Sequence, residues 1–402
     1  MAATASPTAT ATPARGRHFF ANPGPTNIPD QILRAIDRPT IDFNDAGFLP
    51  VYREVFDGLK RVLGTRHHLF MYTGSGHAAW EATLTNLLSP GETILVVESG
   101  YFSEEWGKMA AAHGVEVQTV AADWRHGVDV AQVRAALEAD RDHRLKAVCV
   151  VHNETATGLM IPPAEVRAAI DAAGHPALFL VDTISSLASL EFRMDDWGID
   201  AVVGGSQKGL MNPTGTSFTA VSEKGMAAHR QARLGRYYFD WSVMMTRHPH
   251  DSFVGTVPVN AFYGMREAVR LLEEEGMEAV VARHHRLAEG VRRAVAVWSG
   301  NNGPQLFCTN PARVSDSVTT ILMPEGHDPD ALRRTVRSRY NVSLGGGLGV
   351  LIGKVFRIGH MGDLNEPMVL GTLAAIEMSL RINGVPHGKG GVEAAMDYFA
   401  AT

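Results

Sequence analysis

Cysteine is nearly absent from this sequence. Only two of its 402 residues are cysteines: Cys149 lies within an apolar run, and Cys308 lies far along the chain in a Leu-Phe-Cys-Thr stretch. So few cysteines at such a separation exclude a disulfide-stapled scaffold and a cysteine-rich metal centre. We therefore predict two unpaired thiols in a protein of a reducing compartment.

Long apolar runs and an excess of positive charge are also missing. No stretch approaches the roughly 18 apolar residues that a membrane-spanning helix needs. The 43 acidic residues outnumber the 37 lysines and arginines, which gives a formal net charge of −6. This balance offers no basic surface for nucleic acid. We expect neither a membrane nor a nucleic acid among the partners of the protein.

Residues 1–17 lack both acidic side chains and a hydrophobic segment. They are rich in alanine, threonine and proline. A secretory signal needs an apolar core, which this stretch does not have. We expect a disordered N-terminal arm on a cytoplasmic protein, and organellar targeting by this arm stays open.

The remaining chain alternates between apolar runs and helical patterns. Its length predicts two domains, which we place at residues 18–280 and 281–402, because the pattern changes after Asn260. Nearly continuous apolar strands separated by helices are typical of a mainly parallel sheet covered on both faces, an α/β fold. The predicted strands of this sheet are residues 68–72, 93–97, 115–120, 146–151, 177–181 and 201–204.

Small and polar residues follow several of these strands. Ligands of open α/β sheets bind at the carboxyl ends of the strands. The turn Gly74-Ser-Gly-His77 leads from a strand into a helix, so its backbone N–H groups and the helix N-terminus could hold an anion such as a phosphate. It lacks the third glycine of a dinucleotide fingerprint, because Ala79 stands at that position.

Lys208 and Asp182 follow two neighbouring strands. Taken alone, Lys208 is a surface lysine or a Schiff-base lysine, and the second role requires burial or a nearby cation. Asp182 alone fits a helix cap, a magnesium ligand or an acid that holds a bound group. Together with the anion-binding turn, they match what pyridoxal phosphate requires: a lysine, an acid for the pyridine nitrogen and a phosphate site.

Four longer motifs resemble one family. They are the Asn-Pro-Gly-Pro-Thr-Asn-Ile-Pro stretch at 22–29, His-Asn-Glu-Thr-Ala-Thr-Gly at 152–158, Gly-Ser-Gln-Lys-Gly-Leu-Met at 205–211 and Gly-Lys-Val-Phe-Arg-Ile-Gly-His at 353–360. In this order they resemble the class V aminotransferases of fold-type I, in particular the serine–glyoxylate and alanine–glyoxylate enzymes. The resemblance implies a mainly parallel seven-stranded sheet covered by helices, a smaller α+β C-terminal domain and pyridoxal 5'-phosphate as cofactor.

The resemblance also implies roles for single residues. Lys208 would form the Schiff base and carry the proton between Cα of the substrate and C4′ of the cofactor, and Asp182 would pair with the pyridine nitrogen. Arg357 would bind the substrate carboxylate through a bidentate pair. The other cofactor contacts would be Thr155 at the ring hydroxyl, Phe102 stacked on the ring, and Ser75, Gly76, His77 and Gln207 at the phosphate.

Some positions depart from the family pattern. Family members form homodimers in which a tyrosine and a threonine of the partner subunit commonly reach the phosphate. Thr256 retains the threonine, whereas Phe253 has no hydroxyl to offer. Residues 42–47 also differ from the usual sequence near the substrate entrance. The glycine run 345–347 is interpreted as a mobile loop near the substrate, since no helix follows it directly.

The predicted activity is transamination from L-serine to glyoxylate, which gives hydroxypyruvate and glycine. Alanine, aspartate and ureidoglycine remain alternative donors on the same scaffold. A cysteine desulfurase would need a reactive loop cysteine, and neither Cys149 nor Cys308 stands where one is expected. A non-catalytic scaffold that binds the cofactor is the alternative from another class, and the set of Lys208, Asp182 and Arg357 argues against it.

Overall fold

The computed structural model describes residues 15–247 and 253–402. Most of the predicted N-terminal arm, up to residue 14, lies outside the described residues. Within the described ranges, no helix is both long enough and apolar enough to cross a membrane.

Fourteen strands are formed by the described residues. They are β1 Phe19–Ala21, β2 His68–Thr73, β3 Thr93–Glu98, β4 Glu116–Ala121, β5 Leu145–Val151, β6 Asn153–Glu154, β7 Leu159–Met160, β8 Leu178–Asp182, β9 Ala201–Gly205, β10 Thr216–Val221, β11 Gln305–Leu306, β12 Val318–Leu322, β13 Val342–Gly346 and β14 Val355–Gly359.

Thirteen α-helices are formed by the same ranges of the chain. They are α1 Asp30–Ile36, α2 Leu49–Leu63, α3 Gly76–Leu87, α4 Tyr101–Ala112, α5 Val130–Ala139, α6 Pro163–Ala172, α7 Glu223–His229, α8 Trp241–Met245, α9 Val259–Glu275, α10 Met277–Trp298, α11 Pro329–Tyr340, α12 Glu366–Ile382 and α13 Gly391–Ala401.

The larger of the two main sheets has seven strands. Its strand order is β2-β10-β9-β8-β5-β3-β4, and only β10 runs antiparallel to its neighbours among these seven strands. The six strands predicted from the sequence are all present, so the predicted α/β fold is confirmed. The seventh, β10, follows the Lys208 loop and returns the chain between β2 and β9.

Both faces of this sheet are buried. In β5, Val148 and Val150 point into one hydrophobic core, whereas Ala147, Cys149 and Val151 point into the core on the opposite face. Such alternation explains the continuous apolar character of the strand, because neither face meets water. Cys149 is thus a core residue, and both cysteines are free and buried.

A second, five-stranded sheet has the order β1-β13-β14-β12-β11. The first strand of the chain, β1, pairs in parallel with β13, and the other pairs are antiparallel. Helices α10 to α13 contribute to the core of this sheet. The domain limits at residues 18–280 and 281–402 stay a prediction.

The glycine run 345–347 corrects one interpretation of the sequence. Gly345 and Gly346 do not form a mobile loop: they belong to β13, and Gly345 pairs with Arg357 of β14. A Cβ atom at Gly345 would lie 2.7 Å from Pro23 Cδ and 3.2 Å from Arg357 Cβ. The glycines therefore allow close packing rather than movement.

Two helix glycines offer a matched test of this packing. A Cβ atom at Gly290 of α10 would lie 2.1 Å from the Phe399 ring of α13, whereas Gly371 of α12 has no neighbour within 4 Å of that position. We expect Gly290→Ala to destabilise the protein by about 1–3 kcal/mol through overpacking. Gly371→Ala should stabilise it by up to about 1 kcal/mol, because alanine favours the helix. Thermal unfolding of both variants would measure this, and a Gly290→Ala protein as stable as the parent would contradict it.

Candidate active site

A cavity of about 250 Å³ opens at the carboxyl ends of β2, β5, β8 and β9. This is the edge at which open α/β sheets bind ligands. It is lined by Gly24, Pro25, Ser75, Gly76, His77, Trp80, Phe102, Val151, Asn153, Thr155, Asp182, Ile184, Ser185, Gln207, Lys208 and Thr214.

Lys208 enters the cavity from the turn after β9. Its Nζ donates a hydrogen bond to Pro23 O at 2.5 Å. Burial, together with the charge of Arg357, lowers the pKa of Lys208 to about 8, while Asp182 acts in the opposite direction. The lysine therefore has both the burial and the nearby cation that a nucleophilic amine needs near neutral pH.

The segment 22–26 crosses over this lysine. Thr26 N donates to Gln207 O at 3.1 Å, and Thr26 Oγ1 donates to Lys208 O at 3.1 Å. Gly24 has a φ of +96°, and a Cβ atom there would lie 2.2 Å from Lys208 Cδ. Only glycine fits this position, because both the backbone conformation and the close approach exclude a side chain.

Asp182 ends β8 and is buried. Its Oδ2 accepts a hydrogen bond from Trp80 Nε1 at 2.7 Å, and its Oδ1 accepts one from Ile184 N at 2.6 Å. Burial raises the pKa of Asp182 to about 7, although these two donors and Lys208 favour the ionised form. A desolvated carboxyl group of this kind is well suited to pair with a protonated nitrogen.

The first turn of α3 forms the predicted anion site. Ser75 caps the helix in an extended conformation, and its side chain makes no capping hydrogen bond, so the first backbone N–H groups are open to a ligand. Gly76 packs so closely that a Cβ atom would lie 2.2 Å from Ile184 Cδ1. Burial lowers the pKa of His77, although the nearby Glu105 acts in the opposite direction. Gln207 also lines the cavity, and its Oε1 is buried without a hydrogen-bond partner.

Two hydroxyl groups line the cavity where β6 and β8 end: Thr155 follows β6, and Ser185 follows β8. Thr155 Oγ1 and Asn153 Nδ2 both donate to Ser185 Oγ, at 2.7 and 2.8 Å. Ser185 Oγ in turn donates to Asn153 O at 2.8 Å. Asn153 Oδ1 is buried without a partner beside the cavity. The Asn153 Oδ1 atom can therefore accept a hydrogen bond from a bound ligand.

Arg357 lies behind Thr155 and does not line the cavity. Its Nη1 donates to Thr155 O at 2.8 Å, and its Nε donates to Gly346 O at 2.7 Å. Burial lowers the pKa of Arg357 to about 10, while the Glu154 carboxyl group favours its charged form. The guanidinium group therefore remains a cation at neutral pH, next to the ligand edge of the sheet.

Three comparisons with known proteins bear on this site. Residues 18–352 match the family model described as aminotransferase class V. The chain belongs to the class V aminotransferase family. It is similar to the serine–glyoxylate aminotransferase of Methylorubrum extorquens, with 44% identity covering 95% of this chain and 96% of that protein. It is also similar to the L-aspartate–glyoxylate aminotransferase of Paracoccus denitrificans, with 41% identity covering 94% and 96%.

A solved structure of the same fold extends the likeness. The ureidoglycine–glyoxylate aminotransferase of Bacillus subtilis is similar to this class V aminotransferase with a TM-score of 0.87 at 25% identity. The match covers 96% of this chain and 99% of that one. The predicted membership in the fold-type I transferases is confirmed by such neighbours.

Most of the predicted site residues come together in this class V aminotransferase. Eight line the cavity: Ser75, Gly76, His77, Phe102, Thr155, Asp182, Gln207 and Lys208. Arg357 lies one layer behind, and Thr256 is exposed and outside the lining. Phe253 is buried and packs edge-on against Phe262 at 5.8 Å. The roles of these residues, including the contact of Thr256 with a partner subunit, stay predictions.

The sequence analysis did not assign the other eight residues that line the cavity: Gly24, Pro25, Trp80, Val151, Asn153, Ile184, Ser185 and Thr214. Gly24 and Asn153 lie inside the motifs that carried the resemblance, which was a usable signal. Trp80 lies in the helix that was predicted to follow the Gly74–His77 turn, and only the three-dimensional structure brings its N–H to Asp182. Ser185 lies three residues past Asp182 in a stretch of small polar residues that gave no pattern.

The low pKa of Lys208 gives a test of the electrostatics. Without cofactor, labelling of Lys208 by formaldehyde and a reductant should rise with pH and reach half of its maximal rate near pH 8, because only the neutral amine reacts. Arg357→Met should move this midpoint to higher pH, since it removes a cation that lowers the pKa. Asp182→Asn should move it to lower pH. Mass spectrometry of the labelled peptide measures all three, and identical midpoints would contradict the proposed electrostatics.

Proposed function

We propose that this class V aminotransferase holds pyridoxal 5'-phosphate in the cavity and transfers the amino group of L-serine to glyoxylate, giving hydroxypyruvate and glycine. The observation that carries the cofactor assignment is the pair of Asp182 and Lys208 on neighbouring strand ends, beside the open N-terminus of α3. The substrate assignment is supported by the similarity to a serine–glyoxylate aminotransferase at 44% identity.

The residues present fit the cofactor. Asp182 would hold the pyridine nitrogen, and the α3 N-terminus with Gln207 would hold the phosphate. Gln207 and Asn153, which line this space, each keep a buried amide oxygen without a partner that can accept a hydrogen bond from a donor group of the bound molecule. When bound, the group supplies an electron sink for the negative charge that develops at Cα of the amino acid.

Lys208 is the proposed base of the reaction. Its pKa of about 8 leaves a usable fraction of neutral amine at physiological pH. Nζ then takes the proton from Cα of the amino acid. Pro23 O, which accepts a hydrogen bond from Nζ at 2.5 Å, holds the amine in position when it is free. Phe102 lines the cavity and would cover one face of the cofactor ring, which also excludes water from it.

Arg357 is proposed to bind the α-carboxylate of the substrate. Two of its nitrogens are already held by Thr155 O and Gly346 O, which fixes the plane of the guanidinium group. Within the described ranges, its Nη2 makes no hydrogen bond to the protein and is available to a carboxylate. A fixed guanidinium group binds carboxylates more specifically than a flexible ammonium group does.

The remaining parts of the proposal concern the assembly. We propose a homodimer in which Thr256, exposed in its own subunit, reaches the cofactor phosphate of the partner. We further propose a cytoplasmic location, supported by two free, buried cysteines. The large domain would span residues 18–280 and the small one residues 281–402.

Single-turnover measurements with separate donors test the substrate assignment. Protein loaded with pyridoxal phosphate is mixed with L-serine, L-alanine or L-aspartate, and the loss of its visible absorbance band is followed. We expect the fastest loss with serine. A faster loss with aspartate would assign this chain the donor named for the Paracoccus relative.

Two lysine variants control this experiment. Lys208→Ala should show no band and no conversion. Lys224→Ala should behave as the parent, because Lys224 contacts Ala177 O and Asp200 away from the cavity. A parent protein that gains no visible band with added cofactor would refute the proposed cofactor.

Arg357→Lys tests the carboxylate contact. The change keeps the charge but replaces the fixed planar guanidinium group and its available Nη2 by a flexible ammonium group, so we expect the KM of both the amino acid and the oxo acid to rise about tenfold, equivalent to roughly 1.4 kcal/mol. Arg334→Lys is the matched control, because Arg334 is exposed on α11 and pairs with Asp328. Steady-state kinetics measures both, and an unchanged KM in Arg357→Lys would remove this residue from the site.

A further inference from the structure

Glu154 is a buried carboxyl group that has no part in the proposed reaction. It is fully inaccessible and directly precedes Thr155. Burial raises the pKa of Glu154 to about 7, Asp182 raises it further, and hydrogen bonds from backbone N–H groups lower it. A carboxyl group so costly to bury must have partners that offset its desolvation.

The partners of Glu154 lie mainly in the first turn of α4. Its Oε2 accepts hydrogen bonds from Phe102 N at 3.0 Å and from Ser103 N at 3.1 Å. Ser103 Oγ lies 3.5 Å from the same oxygen, and Oε1 accepts from Ala156 N at 3.0 Å. The carboxyl group thus caps a twelve-residue helix from a distant part of the chain, where the helix dipole favours negative charge.

The backbone makes room for this contact at Gly100. A Cβ atom there would lie 2.4 Å from Glu154 Cγ and 2.7 Å from its Cδ. The φ of Gly100 is 162°, an extended value that any residue adopts, so the requirement for glycine at this position is steric. The glycine at position 100 therefore provides the space that the Glu154 side chain occupies.

This capping contact joins two walls of the cavity. On one side, the N–H group that Glu154 holds belongs to Phe102, whose ring lines the cavity. On the other side, the next residue is Thr155, which also lines the cavity and whose carbonyl oxygen holds Arg357. Displacement of the Glu154 side chain would change the distance between the Phe102 ring and the Thr155 hydroxyl group across the cavity.

We infer that Glu154 is a positioning residue: its carboxyl group fixes the first turn of α4 so that Phe102 faces the cofactor opposite the Thr155 side of the cavity. Glu154 itself touches neither cofactor nor substrate. The inference rests on the proposed function, since the ligand that Phe102 faces is the proposed cofactor.

Glu154→Gln tests the inference by titration of cofactor-free protein with pyridoxal phosphate. The variant keeps the shape of the side chain, but it loses the charge and turns an NH₂ group towards backbone donors. We expect the Kd of the cofactor to rise about tenfold and the visible circular dichroism of the bound cofactor to fall. Glu104→Gln is the control, because Glu104 carries a charge on the same helix turn but pairs with Lys108. It should change neither quantity.

Gly100→Ala is a second, independent variant. It displaces the Glu154 carboxyl group without altering any charge, so it should raise the Kd and weaken the circular dichroism in the same direction. Far-ultraviolet circular dichroism of each variant shows whether the fold is retained. If Glu154→Gln fails to fold, Gly100→Ala carries the test, and a parental Kd in it would overturn the inference.

A double-mutant cycle with Phe102→Leu separates positioning from general stability. If Glu154 acts through Phe102, the effect of Glu154→Gln on the Kd should shrink to less than about twofold in the Phe102→Leu background. Equal effects in both backgrounds would overturn the inference. The parent protein separates the two proposals: if it binds no cofactor, the proposed function fails. If it binds cofactor but Glu154→Gln binds equally well, only the role of Glu154 fails.

Discussion

The desolvation of two opposite charges at one edge of the sheet is the constraint on which the site depends. Asp182 and Lys208 are both brought out of water, so the carboxyl pKa rises and the amine pKa falls until both lie near neutrality. Desolvation is the main cause of both shifts, so exposure to water would bring both pKa values back towards those of free side chains. The two buried cores of the sheet create this environment, because they bury the strands β8 and β9 that carry the two groups at their ends.

Arg357 adds a third charge to this arrangement. It lowers the pKa of the lysine and is itself favoured as a cation by Glu154. Two cations, Lys208 and Arg357, therefore share the site with two carboxyl groups, Asp182 and Glu154, and each charge shifts the pKa of a neighbouring group. If the substrate carboxylate binds to Arg357 as proposed, it would screen the effect of Arg357 on Lys208, and substrate binding would then raise the basicity of the amine.

Much of the site could be predicted because a parallel sheet brings its strand ends together. Thr155, Asp182 and Lys208 follow three apolar runs, and the topology alone makes them neighbours. Trp80 could not be found in this way, since its contact with Asp182 depends on how α3 lies across the sheet. The strand formed by Gly345 was missed because close packing against Pro23, and not a local pattern, requires glycine there. The resemblance supplied Arg357, but not its place behind Thr155.

The path of the first strand has a consequence for how the protein can be altered. β1 belongs to the second sheet, yet the residues that follow it cross to the first sheet. There Pro23 O accepts a hydrogen bond from Lys208 Nζ. The amino-terminal end of the described chain is thus a mechanical link between the second sheet and the reactive amine. Removing the chain up to and including Pro23 would break this link, because it takes away both β1 and the carbonyl oxygen that accepts the hydrogen bond of Lys208 Nζ. The reactive amine would then lose the hydrogen-bond partner that positions it when it is free.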